Sequence, residues 1–161
     1  MAATTRIYAI EVREGSASFE LTAPDEAEMT YRFETIRDAG LPYLVAEDRS
    51  GQILGYAYAG SYRSRPAYGA TVENSVYVVT EARGRGVGRA LLAALIERCR
   101  QAGKREMIAV IGDSANTGSI ALHRALGFRD AGVLRDVGRK HGRWLDTVLM
   151  QFSLHDDEGE R

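Results

Sequence analysis

The stretch Val76-Tyr77-Val78-Val79-Thr80-Glu81-Ala82-Arg83-Gly84-Arg85-Gly86-Val87-Gly88-Arg89 constrains this chain more than any other. A Val/Tyr-rich strand runs into a loop with glycine at every second position, and the loop opens directly into a helix. Backbone N–H groups clear of side chains, together with a helix N-terminus, form a site for a phosphate or pyrophosphate. Arg83, Arg85 and Arg89 add positive charge at the same place. Two other glycine loops fail on spacing. The four residues between glycines followed by Gly-Lys-Ser/Thr are absent, and the third glycine of G-x-G-x-x-G is replaced by Arg89. The bland alternative is a glycine-rich surface turn ahead of a helix.

Periodicity along the rest of the chain predicts one α/β domain over residues 1–154 with a mixed sheet, followed by a polar tail at 155–161. Ile7, Tyr8, Ile10 and Val12 predict a short helix over 4–13, stopped by Gly15. Thr22 as a capping hydroxyl, then Pro24, Asp25 and Glu26, predicts the start of a second helix. Met29, Phe33 and Ile36 recur on it at helical spacing until Gly40 and Pro42. Strands are expected at Tyr43–Glu47 and Ile53–Tyr62, joined by the turn Asp48-Arg49-Ser50-Gly51. Gly55 and Gly60 inside the second imply a bend or a close backbone approach. A strand over Thr71–Val79 leads into a helix over Val87–Ala102, whose apolar face carries Leu91, Leu92, Leu95, Ile96 and Cys99. Met107–Ile111 is a continuous apolar run, expected to be buried on both faces. A helix at Asn116–Leu126 and strands near Phe128–Arg139 and Trp144–Leu154 complete the pattern.

Composition narrows the function classes. The 161 residues hold 21 Lys+Arg against 22 Asp+Glu, a net charge of −1, which argues against a dedicated nucleic-acid binder. That neutrality is an average: residues 1–82 carry 7 basic and 12 acidic side chains, whereas residues 83–143 carry 13 basic and 5 acidic. The one cysteine, Cys99, allows no intramolecular disulfide and no Cys-rich metal site, and His123, His141 and His155 lack metal-motif spacing, so no metal is expected. No stretch of about 18 apolar residues occurs, so no membrane span is expected. The N-terminus lacks a signal-peptide pattern, and a cytoplasmic setting is expected.

The glycine loop, written as Arg83-Gly84-Arg85-Gly86-Val87-Gly88, resembles the R/Q-x-x-G-x-G/A acetyl-CoA loop of the GNAT N-acetyltransferase superfamily. About 30 residues downstream, Asn116, Ser119, Ala121, Leu122, His123, Leu126, Gly127 and Phe128 resemble its second cofactor motif. Further stretches are similar to the phosphinothricin/methionine sulfoximine N-acetyltransferase family. They are Gly55–Gly60, Arg63, Arg65, Ala67-Tyr68, Thr71–Val78 and Gly138–Asp146, and the likeness runs from about Ile7 to Leu154. The resemblance implies a GNAT-type mixed, mostly antiparallel sheet flanked by helices. It also implies a homodimer that transfers an acetyl group from acetyl-CoA directly to the α-amine of a small amino acid or analogue. The pantetheine arm would pair with strand amides at Val76, Tyr77 and Val78, between two strands that splay apart. The phosphates would sit on residues 83–89, and Asn116 would touch the cofactor arm.

Particular residues acquire expected roles from the same likeness. Glu73 is the expected base, because amino-acid α-amines are largely protonated near neutrality and only the neutral amine attacks; an exposed or salt-bridged strand carboxylate is the alternative. His123 stands where a proton donor to the leaving thiolate is placed, with a half-buried, hydrogen-bonded histidine as the alternative. Arg63 and Arg65 are expected to hold an acidic group of the acceptor. Asn74 and Ser75 are expected to line its pocket. Cys99 is expected in the core, and Trp144, Tyr56 and Tyr58 in packing or a dimer contact. One departure stands out: the superfamily's first strand is expected to be missing or truncated, so that either the chain starts short or the sheet edge at the Tyr43/Ile53 hairpin is left uncovered. Acetylation of a protein N-terminus or polyamine, and an acyl-CoA-binding sensor without catalysis, are the competing readings.

Overall fold

Strand alternation sorts the chain into two cores. In Ile53–Ser61, the computed structural model, which describes residues 1–155, sends Tyr56 and Tyr58 to one face of a sheet and Ala57 and Ala59 to the other. The sheet has six strands among the described residues: β1 (Tyr43–Glu47), β2 (Ile53–Ser61), β3 (Thr71–Val78), β4 (Glu106–Gly112), β5 (Arg129–Lys140) and β6 (Arg143–Ser153). Their order is β1-β2-β3-β4-β6-β5, and every neighbouring pair is antiparallel except β3–β4. Of the expected polar tail, only His155 falls within the described residues.

Among the described residues four α-helices flank the sheet: α1 (Ala2–Glu14), α2 (Glu26–Asp38), α3 (Val87–Gln101) and α4 (Thr117–Ala125). The aliphatic stripe of α3, with Leu91, Leu92, Leu95, Ile96 and Cys99, packs on the Ala57 face with Val72, Met107, Ala109 and Met150. Burial pushes the Cys99 thiol up to about 12. On the Tyr56 face, α1 contributes Ile7, Tyr8 and Val12, and α2 contributes Met29. There Tyr43, Tyr56 and Tyr58 stack, and Tyr77 joins Tyr56 at 5.2 Å between ring centroids. The loop between α1 and α2 is tied to the sheet by the buried Lys140, whose Nζ donates to Ser18 O at 2.6 Å.

The elements match the periodicity within one or two residues, and three details differ. The cap of α2 is Asp25, not Thr22: its carboxylate accepts from Glu28 N at 2.8 Å, the geometry in which a short acceptor side chain satisfies an unpaired helical N–H. β4 is not buried on both faces throughout, since it outruns its pairing with β3 and Val110 is exposed there. Of the two β2 glycines, only Gly55 marks a close approach, for a Cβ there would lie 2.6 Å from Tyr77 O. No strand precedes α1 among the described residues, and β1, with Val45 exposed, forms one edge of the sheet.

Candidate active site

The single parallel pairing is where the site forms. β3 and β4 run together from Thr71/Glu106 to Asn74/Ala109 and then part, β4 continuing to Gly112 against β6 alone. The backbone of Val76–Val79 is therefore free of β4 and faces a cleft of about 800 Å³. One wall holds the glycine loop with Arg83 and Arg89; the other holds Asp113, Asn116 and residues of α4. Ile7, Glu11 and Gly15–Ala17 of the α1 side also line it.

The glycine loop fits a phosphate-bearing ligand for a structural reason. Gly84 and Gly86 have φ of +72° and +84°, which L side chains rarely adopt, and no neighbouring atom lies within 4 Å of where a Cβ would sit. Backbone conformation, not crowding, selects glycine, and the space beside these amides is open. Gly86 is also the N-cap of α3, so the helix begins, with its unpaired N–H groups, at the end of this cradle. Gly88 lines the cleft, whereas the Val87 side chain packs into the core and Arg85 projects to solvent. Asn116 lines the opposite wall, and its Oδ1 accepts from Ser119 N at 3.2 Å as the cap of α4. These residues match a CoA ester: a strand edge to pair with the pantetheine amides and a cradle for its pyrophosphate.

Glu73 faces away from α3. In the β2–β3 register it stands opposite Gly60, on the side of the sheet that carries Tyr58, Ser75 and Tyr77. No ion pair or hydrogen bond reaches its carboxylate among the described residues, and burial alone raises its pKa above the ordinary value. The position beside it is empty, because nothing lies within 4 Å of a Cβ placed on Gly60. A proton acceptor tuned upward, with room beside it and the split one residue along the strand, suits general-base chemistry.

Several expected site residues lie elsewhere. Asn74 cannot share a pocket face with Glu73, because successive strand residues point to opposite sides; it is buried against β4 and α4 and bonded to Ile108 O and His123. Ser75 does share the Glu73 face. His123 is 4% exposed, does not line the cleft and has both ring nitrogens engaged, so this geometry offers no proton to a reacting group. Burial lowers its pKa. Arg63 and Arg65 stand outside the cleft on the exposed loop after β2, where Arg63 stacks over Tyr62 and Tyr68 at 5.2 and 5.8 Å.

Two ion pairs in the cleft wall have no local sequence signal. Glu11 Oε2 lies 3.6 Å from Arg83 Nη2, while its Oε1 accepts from Ala17 N at 2.9 Å. Asp113 accepts from Arg143 at 2.5 Å and from Ser16 Oγ at 3.1 Å, joining the end of β4, the start of β6 and the loop after α1. The Arg143 guanidinium beside Asp113 holds that carboxyl below its usual range.

A mixed sheet split along its one parallel pair, with a phosphate cradle at the mouth of the split, defines a CoA-dependent acyltransferase. The family model described as "Acetyltransferase (GNAT) family" matches residues 5–128. Phosphinothricin N-acetyltransferase of Alcaligenes faecalis is 58% identical over 153 residues, covering 95% of this chain and 77% of its own. The L-methionine sulfoximine/L-methionine sulfone acetyltransferase of Pseudomonas aeruginosa is 45% identical over 148 residues, covering 92% and 86%. A phosphinothricin acetyltransferase from Sinorhizobium meliloti, solved in complex with acetyl-CoA, superposes with a TM-score of 0.90 at 53% identity, covering 92% of this chain and 80% of that one. The chain belongs to the GNAT acetyltransferase family, in its phosphinothricin/methionine sulfoximine branch. It is an N-acetyltransferase with acetyl-CoA as donor.

Proposed function

We infer that residues 1–154 form one enzyme unit that acetylates the α-amine of a small amino acid or amino-acid analogue of the phosphinothricin or methionine sulfoximine kind. One observation carries this reading beyond the family: Glu73 is half-buried with no charge partner among the described residues, beside the open face at Gly60, one residue from the split. Bound acetyl-CoA supplies an acetyl group already activated as a thioester. The chain's own contribution is to accept the ammonium proton of the acceptor on the Glu73 carboxylate, directly or through one water, and leave a neutral nitrogen to attack. Arg63 and Arg65, on the loop that leaves β2 just beyond Gly60, supply guanidinium groups for the acceptor's acidic oxygens. Cys99, buried in the α3 core with its thiol pushed up to about 12, is no nucleophile here, so the reading is direct transfer.

The same reading places the enzyme in the cytoplasm as a homodimer. Supporting the dimer, β5 is exposed along nearly its whole length and presents Val133, Leu134 and Val137, with Trp144 nearby on β6. The function is tested by following thiol release from acetyl-CoA while a panel of amines is offered, including phosphinothricin, methionine sulfoximine, a polyamine and a peptide N-terminus. Turnover confined to the amino-acid analogues is expected. Acetyl-CoA binding without turnover on any amine would make the chain a sensor instead.

A further inference from the structure

Asn74 occupies the last rung of the parallel β3–β4 pairing, and its side chain crosses that rung: Nδ2 donates to Ile108 O at 3.2 Å. Its Oδ1 lies 2.9 Å from Nε2 of His123, whose Nδ1 lies 2.7 Å from the carbonyl of Ser119 in α4. Three contacts thus join β3, β4 and α4 at the apex where the strands part. The imidazole is packed edge-on against Phe128, with centroids 4.9 Å apart. Both ring nitrogens face oxygens, and the neutral ring that burial favours donates its one N–H to one of them and sits packed against the other. Such a ring holds atoms in place. It has no free nitrogen turned toward a substrate.

We propose that His123 is a positioning residue that, through the Asn74 amide, fixes the apex of the β3–β4 split and so the seating of the acetyl thioester against Glu73. The proposal rests on the acetyl-transfer reading of this site. Its force comes from adjacency: Glu73 precedes Asn74 in the chain and stands in register with Ile108, the residue whose carbonyl the amide grips. A displacement of about 1 Å at a reacting group is worth about 100-fold in rate. If His123 no longer holds the amide, the rung is free to open, and the base and the strand edge of Val76–Val79 move together.

His123→Gln and His123→Leu separate this role from proton transfer. Glutamine keeps one N–H able to reach Asn74 Oδ1 but exchanges no proton near neutrality; leucine keeps neither property. The two variants and Asn74→Ala are compared with the wild type for kcat, for its pH profile, and for the acetyl-CoA dissociation constant by titration calorimetry, after thermal melting confirms that each is folded. His123→Gln is expected within about 3-fold of wild-type kcat and on the same pH profile, whereas His123→Leu and Asn74→Ala fall by about 30-fold or more and bind acetyl-CoA several-fold more weakly. If His123→Leu does not fold, Asn74→Ala provides the loss arm. A glutamine variant as impaired as the leucine variant, or a leucine variant with wild-type rate and affinity, overturns the proposal. Should the wild type acetylate none of the amines offered, the functional reading fails; the ranking of acetyl-CoA affinities still decides the positioning role.

Discussion

Glu73 and Gly60 face each other across β2 and β3, a carboxylate opposite a residue with no side chain. The pairing leaves open space beside the one carboxylate on that face of β2 and β3 and explains why a glycine interrupts an otherwise Tyr/Ala-rich strand. Gly60→Val places a branched side chain in that space without touching the glycine loop. The amine KM is expected to rise about 10-fold or more while the acetyl-CoA dissociation constant stays within about 2-fold, as steady-state kinetics and calorimetry will show. Equal weakening of both ligands would place the acceptor elsewhere.

Glu11 holds Arg83 across the cleft at 3.6 Å, so the loop arginine is partly engaged by a carboxylate on the α1 side. Glu11→Gln keeps an acceptor for Ala17 N and removes the charge. Acetyl-CoA should bind about 2- to 5-fold more tightly to this variant, with the gain shrinking as salt is raised. Titration at low and at high ionic strength measures both effects.

Asp113 is 4% exposed and takes bonds from Arg143, Ser16 and Ala115. Asp113→Ala forfeits all three, with Arg143 free to rehydrate, and should lower stability by about 1–3 kcal/mol. Because Arg143 depresses the Asp113 pKa, the wild type keeps this contribution above the ordinary carboxylate value and loses it as pH falls through the native one. Thermal melts of both proteins should therefore converge in strong acid and diverge above about pH 4.

Leu134 and Val137 on the outer strand are 50% and 53% exposed. Leu134→Asp is expected to convert a dimer to a monomer in light scattering at micromolar concentration, with the melting temperature moving only as far as dimer dissociation requires. A monomeric wild type would remove the dimer from the account.

The sequence revealed the local features and missed the distant ones. The glycine loop and α3 are readable because a turn, a cap and an amphipathic stripe are each set within a few residues. The sequence pattern puts the α2 cap at Thr22 and the structure puts it at Asp25, which has Glu28 three residues on and leads directly into the helix. Strand alternation already separates Glu73 from Asn74, a signal that pocket-lining by family likeness overrode. The Glu11–Arg83 and Asp113–Arg143 pairs join residues far apart in the chain, brought together by tertiary packing alone, the first by α1 against the end of β3 and the second by the pairing of β4 with β6. His123 carries the chemistry of a proton donor, but the packing of α4 against β4 points it at Asn74 and not at the cleft.

The central claim is that Glu73 takes the proton from the acceptor amine, and kcat/KM for the amine against pH in wild type and Glu73→Gln tests it most directly. Burial raises the Glu73 pKa, so the wild-type rate should fall on acidification through that raised value and stay level between it and the pKa of the amine. In the variant the rate should climb steadily toward the amine's own pKa, with a deficit of about 100-fold or more at the acidic end that closes as the amine deprotonates unaided. Superimposable profiles would contradict the account.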